Sequence, residues 1–463
     1  MNATFPIGLK LSTGQAVVAT TVAPALFAIG VASGRLWLGI VLAVLTLGLG
    51  LVAVRGRTIT GWVRALYSWQ RRRTTAPAAP SEPVVGSTVM PGDHVAVRWH
   101  DQEMVALIEL IPRPYTPSIV IDKHCFTDDF IDTALVEELL YAHCPDLQAD
   151  VISAGYRVGK TAPAGVISLY EQMIGTLPAP AHRRTWIVLR AEPDKTRRSS
   201  QRRADGVGGL ARYLVASATR VADQLASNGV DARCARSFDD FDSATAISFE
   251  DESWSSIKGR NVFTAAYSAP GGPDAWWSER ADHTITRVTV KPGSPPTSTV
   301  LLTTLARPTT PRGFSRLFGG QRAALSGLSP LTDKHHKLPI GSAGVLIGET
   351  NDRNPVFLPF DDVDHRIIVG DGLMFSQFMV RSAAAGAVVT VDARLREFGD
   401  MVNARFGEPK LNWPGATTYF TPHHQVEVIN LNRNYIITPR HGKLPIRLVE
   451  PREESRYADA LKR

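Results

Sequence analysis

Two long uncharged runs near the N-terminus constrain this chain more than anything else in it. Residues 16–33 read AVVATTVAPALFAIGVAS and residues 36–54 read LWLGIVLAVLTLGLGLVAV, with Gly34 and Arg35 alone between them. As helices they would be roughly 27 to 29 Å long, close to the thickness of a bilayer's hydrocarbon layer. A soluble helix of that length ordinarily keeps a polar face, and a backbone in lipid must satisfy its own hydrogen bonds. The runs predict a two-helix transmembrane hairpin within residues 1–57, with Pro24 tolerated as a kink in the first helix.

Charge then orients the hairpin. Arg55, Arg57, Arg64, Arg71, Arg72 and Arg73 follow it, against Arg35 in the turn and Lys10 before the first run. By the positive-inside rule the arginine flank and both termini lie in the cytoplasm, and the chain is a two-span protein of the inner (plasma) membrane. A cleaved signal peptide with residues 16–32 as its apolar core is the rival reading, but its leader is weakly basic and a second span follows at once. Residues 58–91 form a juxtamembrane segment. Within it, Ile59, Trp62, Val63, Leu66 and Tyr67 share one face of a basic amphipathic helix. Trp62, Tyr67 and Trp69 suit the headgroup zone and the arginines suit anionic lipid. A cytoplasmic continuation of the second helix, packed on a partner, fits the same pattern. The Pro- and Ala-rich residues 74–91 then read as a linker.

The remainder mixes charges of both signs and reads as ordinary folded protein. The net charge of +7 owes much to the arginine flank. A second basic stretch, Lys195 to Arg203 with Arg197, Arg198, Arg202 and Arg203, reads as a polar loop with no interleaved aromatic residues to stack bases, so nucleic acid is not an expected partner. Cys125, Cys144 and Cys234 are odd in number and widely spaced, which suits a reducing compartment and forms no zinc motif. Residues 92–305 predict a first cytoplasmic α+β domain with one mixed sheet. It has strands near Val95–Trp99, Met104–Leu110, Ser118–Ile121, Leu147–Ile152, Thr185–Leu189 and Val230–Cys234. Helices are expected at about 129–143, 164–174 and 205–228. Residues 262–305 are strand-rich, residues 306–335 read as a loop, and residues 336–463 hold a second α/β unit. In that unit Arg366–Val369, a helix at 373–385 and Val388–Val391 make a strand-helix-strand motif. The phrase Lys337-Leu338-Pro339-Ile340 returns as Lys443-Leu444-Pro445-Ile446, a weak hint of duplication. The fold class is thus a membrane-anchored α+β/α/β protein, a transmembrane hairpin plus cytoplasmic mixed-sheet domains.

No short motif establishes catalysis, and no catalytic residue, cofactor or metal is expected. Residues 154–161 (AGYRVGKT) approximate a phosphate loop, with Gly159, Lys160 and Thr161 as its core. Ala154 replaces the first glycine, however, and Pro163 would disturb the helix start. Asp392 could supply a second acid only from another domain. Val369-Gly370-Asp371-Gly372 is half of a dinucleotide fingerprint and reads as a tight strand-to-helix turn. The pairs His335–His336 and His423–His424 lack chelating spacing. Asp239, Asp240 and Asp242 read as a solvated loop, and Trp276–Trp277 as an aromatic turn that packs locally or on a partner. The competing function class is a membrane-tethered nucleotide-dependent transferase or NTPase using 154–161 or 239–242.

Longer phrases are more specific. STGQAVVAT (12–20), EPVVGSTVMPGDHVAVRW (82–99), ELIPRPYTP (109–117), RRTWIVLRAEP (183–193), GLARYLVASATRVADQLASNGVDA (209–232), APGGPDAWWSERADHTITRV (269–288), TPRGFSRLFGGQ (310–321) and LPIGSAGVLIGE (338–349) resemble the EccE family over nearly the whole chain. EccE proteins are membrane components of the mycobacterial ESX type VII secretion system, and the phrases are most similar to the branch of its first-numbered system. The resemblance implies a non-catalytic subunit that stabilises or regulates a translocon for small helical effector proteins. It implies EccB, EccC and EccD as partners, an associated mycosin protease, and a ring built through the complex. With EccC supplying the ATPase motor, no nucleotide site is required here.

Overall fold

A computed structural model of the chain describes residues 7–9, 13–54, 57–72, 95–114, 116–159, 162–269, 271–326 and 332–359. Beyond them it describes residues 367–368, 372–391, 400, 402, 404–406, 418–420, 430–432, 435–438 and 442–447. Arg55, Arg73 and the 74–91 linker lie outside these residues.

The two apolar runs fold back on each other as α1 (Thr13–Ala32) and α2 (Leu36–Leu51). Gly34 turns the corner at φ 68°. The helices touch at Gly30 and Gly39, where a Cβ added to Gly30 would lie 2.6 Å from the Gly39 nitrogen. The hairpin was expected, but its transmembrane character is overturned. Among the described residues no helix is long and apolar enough to cross a membrane. The second run is not one helix: α2 ends after 16 residues, about 24 Å at 1.5 Å per residue, and Val52–Val54 continues as a strand beside Ile7–Leu9. The first helix begins on the polar residues Thr13 and Gln15 and carries Pro24. The two-span plasma-membrane topology, with both termini cytoplasmic, falls with the transmembrane hairpin. Helical α3 (Ile59–Arg72) follows.

The main body is organised by one eleven-stranded sheet. Its order is Ala232–Cys234, Glu103–Leu110, His182–Ala191, Gln148–Tyr156, His283–Lys291, Ser294–Thr304, Val262–Ser268, Ile257–Gly259, Asp251–Glu252. Val97–His100 also pairs with Glu103–Leu110, and Ser315–Arg316 with Val262–Ser268. Every pairing is antiparallel, so the mixed sheet expected here is corrected. Some of these pairs are short hairpins, such as the turn at Pro292–Gly293 with Gly293 at φ 70°, which return the chain directly alongside itself; the central pairs join segments far apart in sequence.

Period-two alternation gives the sheet two apolar faces. On one, Met104, Ala106, Ile108, Val151, Ile187, Leu189 and Val288 pack under α4 (Thr133–His143) and α7 (Gly206–Ser227). Asp132 starts α4 by accepting from the Ala134 N–H at 2.9 Å, and Gly229 at φ 80° closes α7. The expected helix at 129–143 is therefore shorter, because Phe130–Asp132 is a strand paired with Lys337–Pro339. On the other face, Val105, Leu107, Ile152, Trp186 and Ile285 meet α8 (Asp239–Thr245), Leu317 and Ala324. Three further short helices are α5 (Ala164–Ile174), α6 (Pro193–Gln201) and α9 (Pro273–Ser278); α6 replaces the polar loop expected at Lys195–Arg203, with Thr196 and Ser200 buried on its inner side.

A second core gathers α5, α10 (Gly372–Ala384) and the antiparallel set Val345–Glu349, Pro355–Leu358, Ser118–Ile121, His124–Thr127. Beside it, Ile367–Ile368, Thr418–Phe420, Val389–Val391 and Arg405–Phe406 run parallel. Both members of the Lys-Leu-Pro-Ile repeat lie at strands, and each ends on a buried isoleucine, Ile340 or Ile446.

Candidate functional site

The feature most in need of a function is apolar and lies outward. On α1 and α2, Phe27, Ile29, Val31, Leu36, Trp37, Ile40, Val41 and Val44 are exposed, with Trp37 66% accessible. So many exposed large apolar side chains on one helix pair make this the candidate surface for covering by another molecule. Helix α3 extends it asymmetrically. Trp62 packs tilted against Trp254 at 6.0 Å and Phe318 at 6.4 Å between ring centres, and Trp69 meets Trp254 edge-on at 5.5 Å. The Trp69 indole N–H donates to the Glu252 carbonyl at 3.0 Å. These two rings dock α3 on the main body, while Val63, Leu66 and Tyr67 stay outward, with the Arg71 guanidinium 4.9 Å from the Tyr67 ring centre. Of the arginines expected to orient a membrane hairpin, Arg57 lies in a short strand pair and Arg64 and Arg72 lie in α3.

The phosphate-loop-like residues sit differently from a nucleotide cradle. The Gly159 N–H donates to the Ala384 carbonyl at the end of α10 at 2.8 Å. A Cβ there would come within 3.0 Å of the Ala385 carbonyl carbon, so Gly159 allows two backbones to touch. Lys160 and Thr161 lie outside the described residues, as do Val369, Gly370, Asp371, Asp392 and His423–His424. Arg157, just before, donates to the carbonyls of Ser278, Gly175 and Leu177, and burial lowers its pKa to about 10.

The acidic cluster is divided among partners. Asp242 forms a two-pronged pair with Arg98 at 2.5 and 2.6 Å, and Asp240 accepts from Arg184 at 3.3 Å. A cleft of about 660 Å³ lies beside Asp240, between α7 and the Ala232–Cys234 strand. His335 pairs with Glu137 at 2.9 Å, while His336 reaches Asp333 at 2.9 Å and packs on Trp276. The Trp276 indole N–H donates to the Ala269 carbonyl at 2.7 Å, so the tryptophan turn packs locally. Among the described residues no group of three or more His, Cys, Asp or Glu side chains is placed to hold a metal.

Sequence reasoning missed two buried polar networks. Asp150, in mid-sheet, pairs with Arg190 at 3.0 Å and accepts from Thr289 at 2.6 Å; Arg190 also binds Glu103, and Arg287 lies 3.8 Å from Asp150. Asp333 collects the Ser298 hydroxyl at 2.5 Å, His336, and the Lys334 N–H at 2.8 Å. Burial alone would raise the Asp333 pKa, but these hydrogen bonds outweigh it and hold the carboxyl below its usual range. A charged residue within a strand pattern was the available signal for Asp150, whereas Asp333 lies in a stretch read as a loop; the distant partners that each of them meets were not legible.

A sequence model described as "Putative type VII ESX secretion system translocon, EccE" matches residues 179–269. These residues run from the Trp186 strand through α6, α7 and α8 to the Val262–Ser268 strand. The chain is 63% identical over 462 residues to the "ESX-1 secretion system protein EccE1" of Mycolicibacterium smegmatis, covering 100% of both chains. It is 60% identical over 457 residues to the protein of the same description from Mycobacterium tuberculosis, covering 98% of this chain and 99% of the relative. The "ESX-2 secretion system protein EccE2" of Mycobacterium tuberculosis is 27% identical over 394 residues, covering 78% of this chain and 71% of the relative.

Proposed function

The chain belongs to the EccE family, and on that premise we propose that it is a non-catalytic subunit of an ESX type VII secretion complex, working by surface complementarity. The observation that carries this reading is the collinear likeness to ESX-1 EccE1 proteins over the whole length. The exposed apolar face of α1 and α2 supports it, as a surface that assembly would cover. The first-numbered ESX system is the one proposed, because its EccE members are more than twice as similar as the ESX-2 relative. EccB, EccC and EccD are the proposed partners, with a mycosin protease associated and a ring as the form of the assembly. The exported cargo is proposed to be small helical effector proteins.

The competing reading is a nucleotide-dependent enzyme acting through residues 154–161. The commitment of the Gly159 N–H to Ala384 argues against it, since a phosphate loop aims such groups at the ligand. Two measurements separate the readings. Gentle extraction of the tagged full chain from its native cells should recover EccB, EccC and EccD with it. Titration with ATP and GTP should give no saturable binding in either wild type or Lys160→Ala. A chain recovered alone, or one that binds nucleotide tightly unless Lys160 is replaced, would end the subunit reading.

A further inference from the structure

Helices α6 and α7 meet in a corner that carries an excess of positive charge, of which Lys195 is paired with Glu192. Between Pro193 and Arg212 the chain carries Lys195, Arg197, Arg198, Arg202, Arg203 and Arg212, six cations, against Asp194 and Asp205, two anions, a net of +4. All six cations are exposed. Thr196 and Ser200 are the buried side of α6. Lys195, Arg198 and Arg202 therefore fall at i, i+3 and i+7 on the opposite side, a row roughly 10 Å long at 1.5 Å rise per residue.

The corner is held in place by its own backbone. A Cβ added at Gly209 would lie 2.8 Å from the Ser200 carbonyl, so α7 can start against α6 only with glycine there. The Ser199 hydroxyl donates to Asp146 at 2.5 Å, tying α6 to the turn before the Gln148–Tyr156 strand. The Arg203 guanidinium sits 5.7 Å from the Tyr213 ring centre. The row is thus presented by a rigid element, at little entropic cost to a partner.

Beside the row opens a cleft of about 420 Å³. Lys195 and Lys291 stand on its walls, Leu147 and Pro292 give it apolar surface, and Arg190 lies within it. Its two acids are already engaged, Glu192 with Lys195 and Asp146 with Ser199.

We propose that the α6–α7 corner and the adjoining Lys195–Lys291 cleft form a docking surface for an acidic helical segment of a partner protein. Carboxylates repeating every three or four residues on such a helix match the Lys195, Arg198, Arg202 row in spacing and sign. Arginine favours two-pronged carboxylate pairing. The apolar patches in the cleft suit a side chain of the same partner rather than a bare polyanion. With no aromatic ring interleaved in the row, base stacking has no platform. The proposal rests on the chain's role as a subunit of an assembly.

The test uses the purified full chain and a fluorescent 16-residue helical peptide with glutamate at every third or fourth position, read by anisotropy. Binding should be saturable and should weaken at least tenfold between 50 and 300 mM salt, on the order expected for several screened charge pairs. The double variant Arg198→Glu/Arg202→Glu should weaken it by about tenfold or more. Lys291→Glu, at the exposed end of the separate His283–Lys291 strand, should weaken it several-fold and keeps the test decisive if the double variant misfolds. Absence of peptide binding, or binding indifferent to these reversals, would overturn the proposal. So would reversal-sensitive binding confined to phosphatidylglycerol vesicles or duplex DNA. Recovery of EccB, EccC and EccD with wild type reports separately on the subunit reading. If they co-purify while the peptide fails, only the docking surface is lost.

Discussion

Asp150 and Asp333 show how single buried carboxylates hold segments together. Asp150 anchors Arg190 and Arg287 across three neighbouring strands. Asp150→Ala would leave those guanidinium groups buried without their shared anion, at a cost of about 3–5 kcal/mol. Chemical denaturation should show this as a lower midpoint at unchanged slope, and a midpoint equal to wild type would remove Asp150 from its structural role. Asp333 adds a pH dependence. Its folded-state pKa lies below the unfolded value, so its contribution is complete above the ordinary carboxylate range and disappears as pH falls through the depressed folded value. Asp333→Asn should be less stable than wild type at pH 7, and the two melting curves should converge in strong acid. A gap that persists there would point to lost packing instead. The thiols offer a third check. Burial pushes Cys125 up to about 11 and Cys144 up to about 12, so both should resist iodoacetamide at pH 8 until the chain is denatured. Rapid labelling of either in the native protein, followed by mass spectrometry, would contradict the packing described.

At the scale of elements, α3 is the joint between the apolar hairpin and the main body. Its amphipathic pattern and its arginines were legible in the sequence. The direction of its aromatic residues was not, because Trp254 and Phe318, which receive Trp62 and Trp69, lie nearly 200 and over 250 residues away. Trp254→Ala should release α3, seen as faster tryptic cleavage at Arg64 and Arg71 with the main body still folded. Unchanged cleavage rates would mean that other contacts hold the helix. The hairpin itself illustrates a different limit. An apolar run reports what a segment avoids, but where a helix ends depends on whether the backbone finds another partner. Here Val52–Val54 finds Ile7–Leu9, which shortens α2 to 16 residues.

At the scale of the molecule, segments far apart in sequence share sheets. Lys337–Pro339 pairs with Phe130–Asp132, and Pro355–Leu358 pairs with Ser118–Ile121. A chain ending at residue 326 would leave both partners as open edges. It should show poor chemical-shift dispersion or aggregate, whereas a well-dispersed spectrum would show that the first 326 residues fold unaided. The sequence by itself determined most of the helices, the central strands of the large sheet, the paired N-terminal helices, the basic character of Lys195–Arg203 and the family. Each follows from local periodicity, turn chemistry, charge or long matching phrases. The tertiary structure alone decided the all-antiparallel order of the large sheet, the end of α2, the commitment of the Gly159 N–H to α10 and the grouping of Asp150 with its arginines. Those outcomes depend on which distant backbone or side chain satisfies a hydrogen bond or a buried charge, and that partner is written nowhere near the residue that needs it.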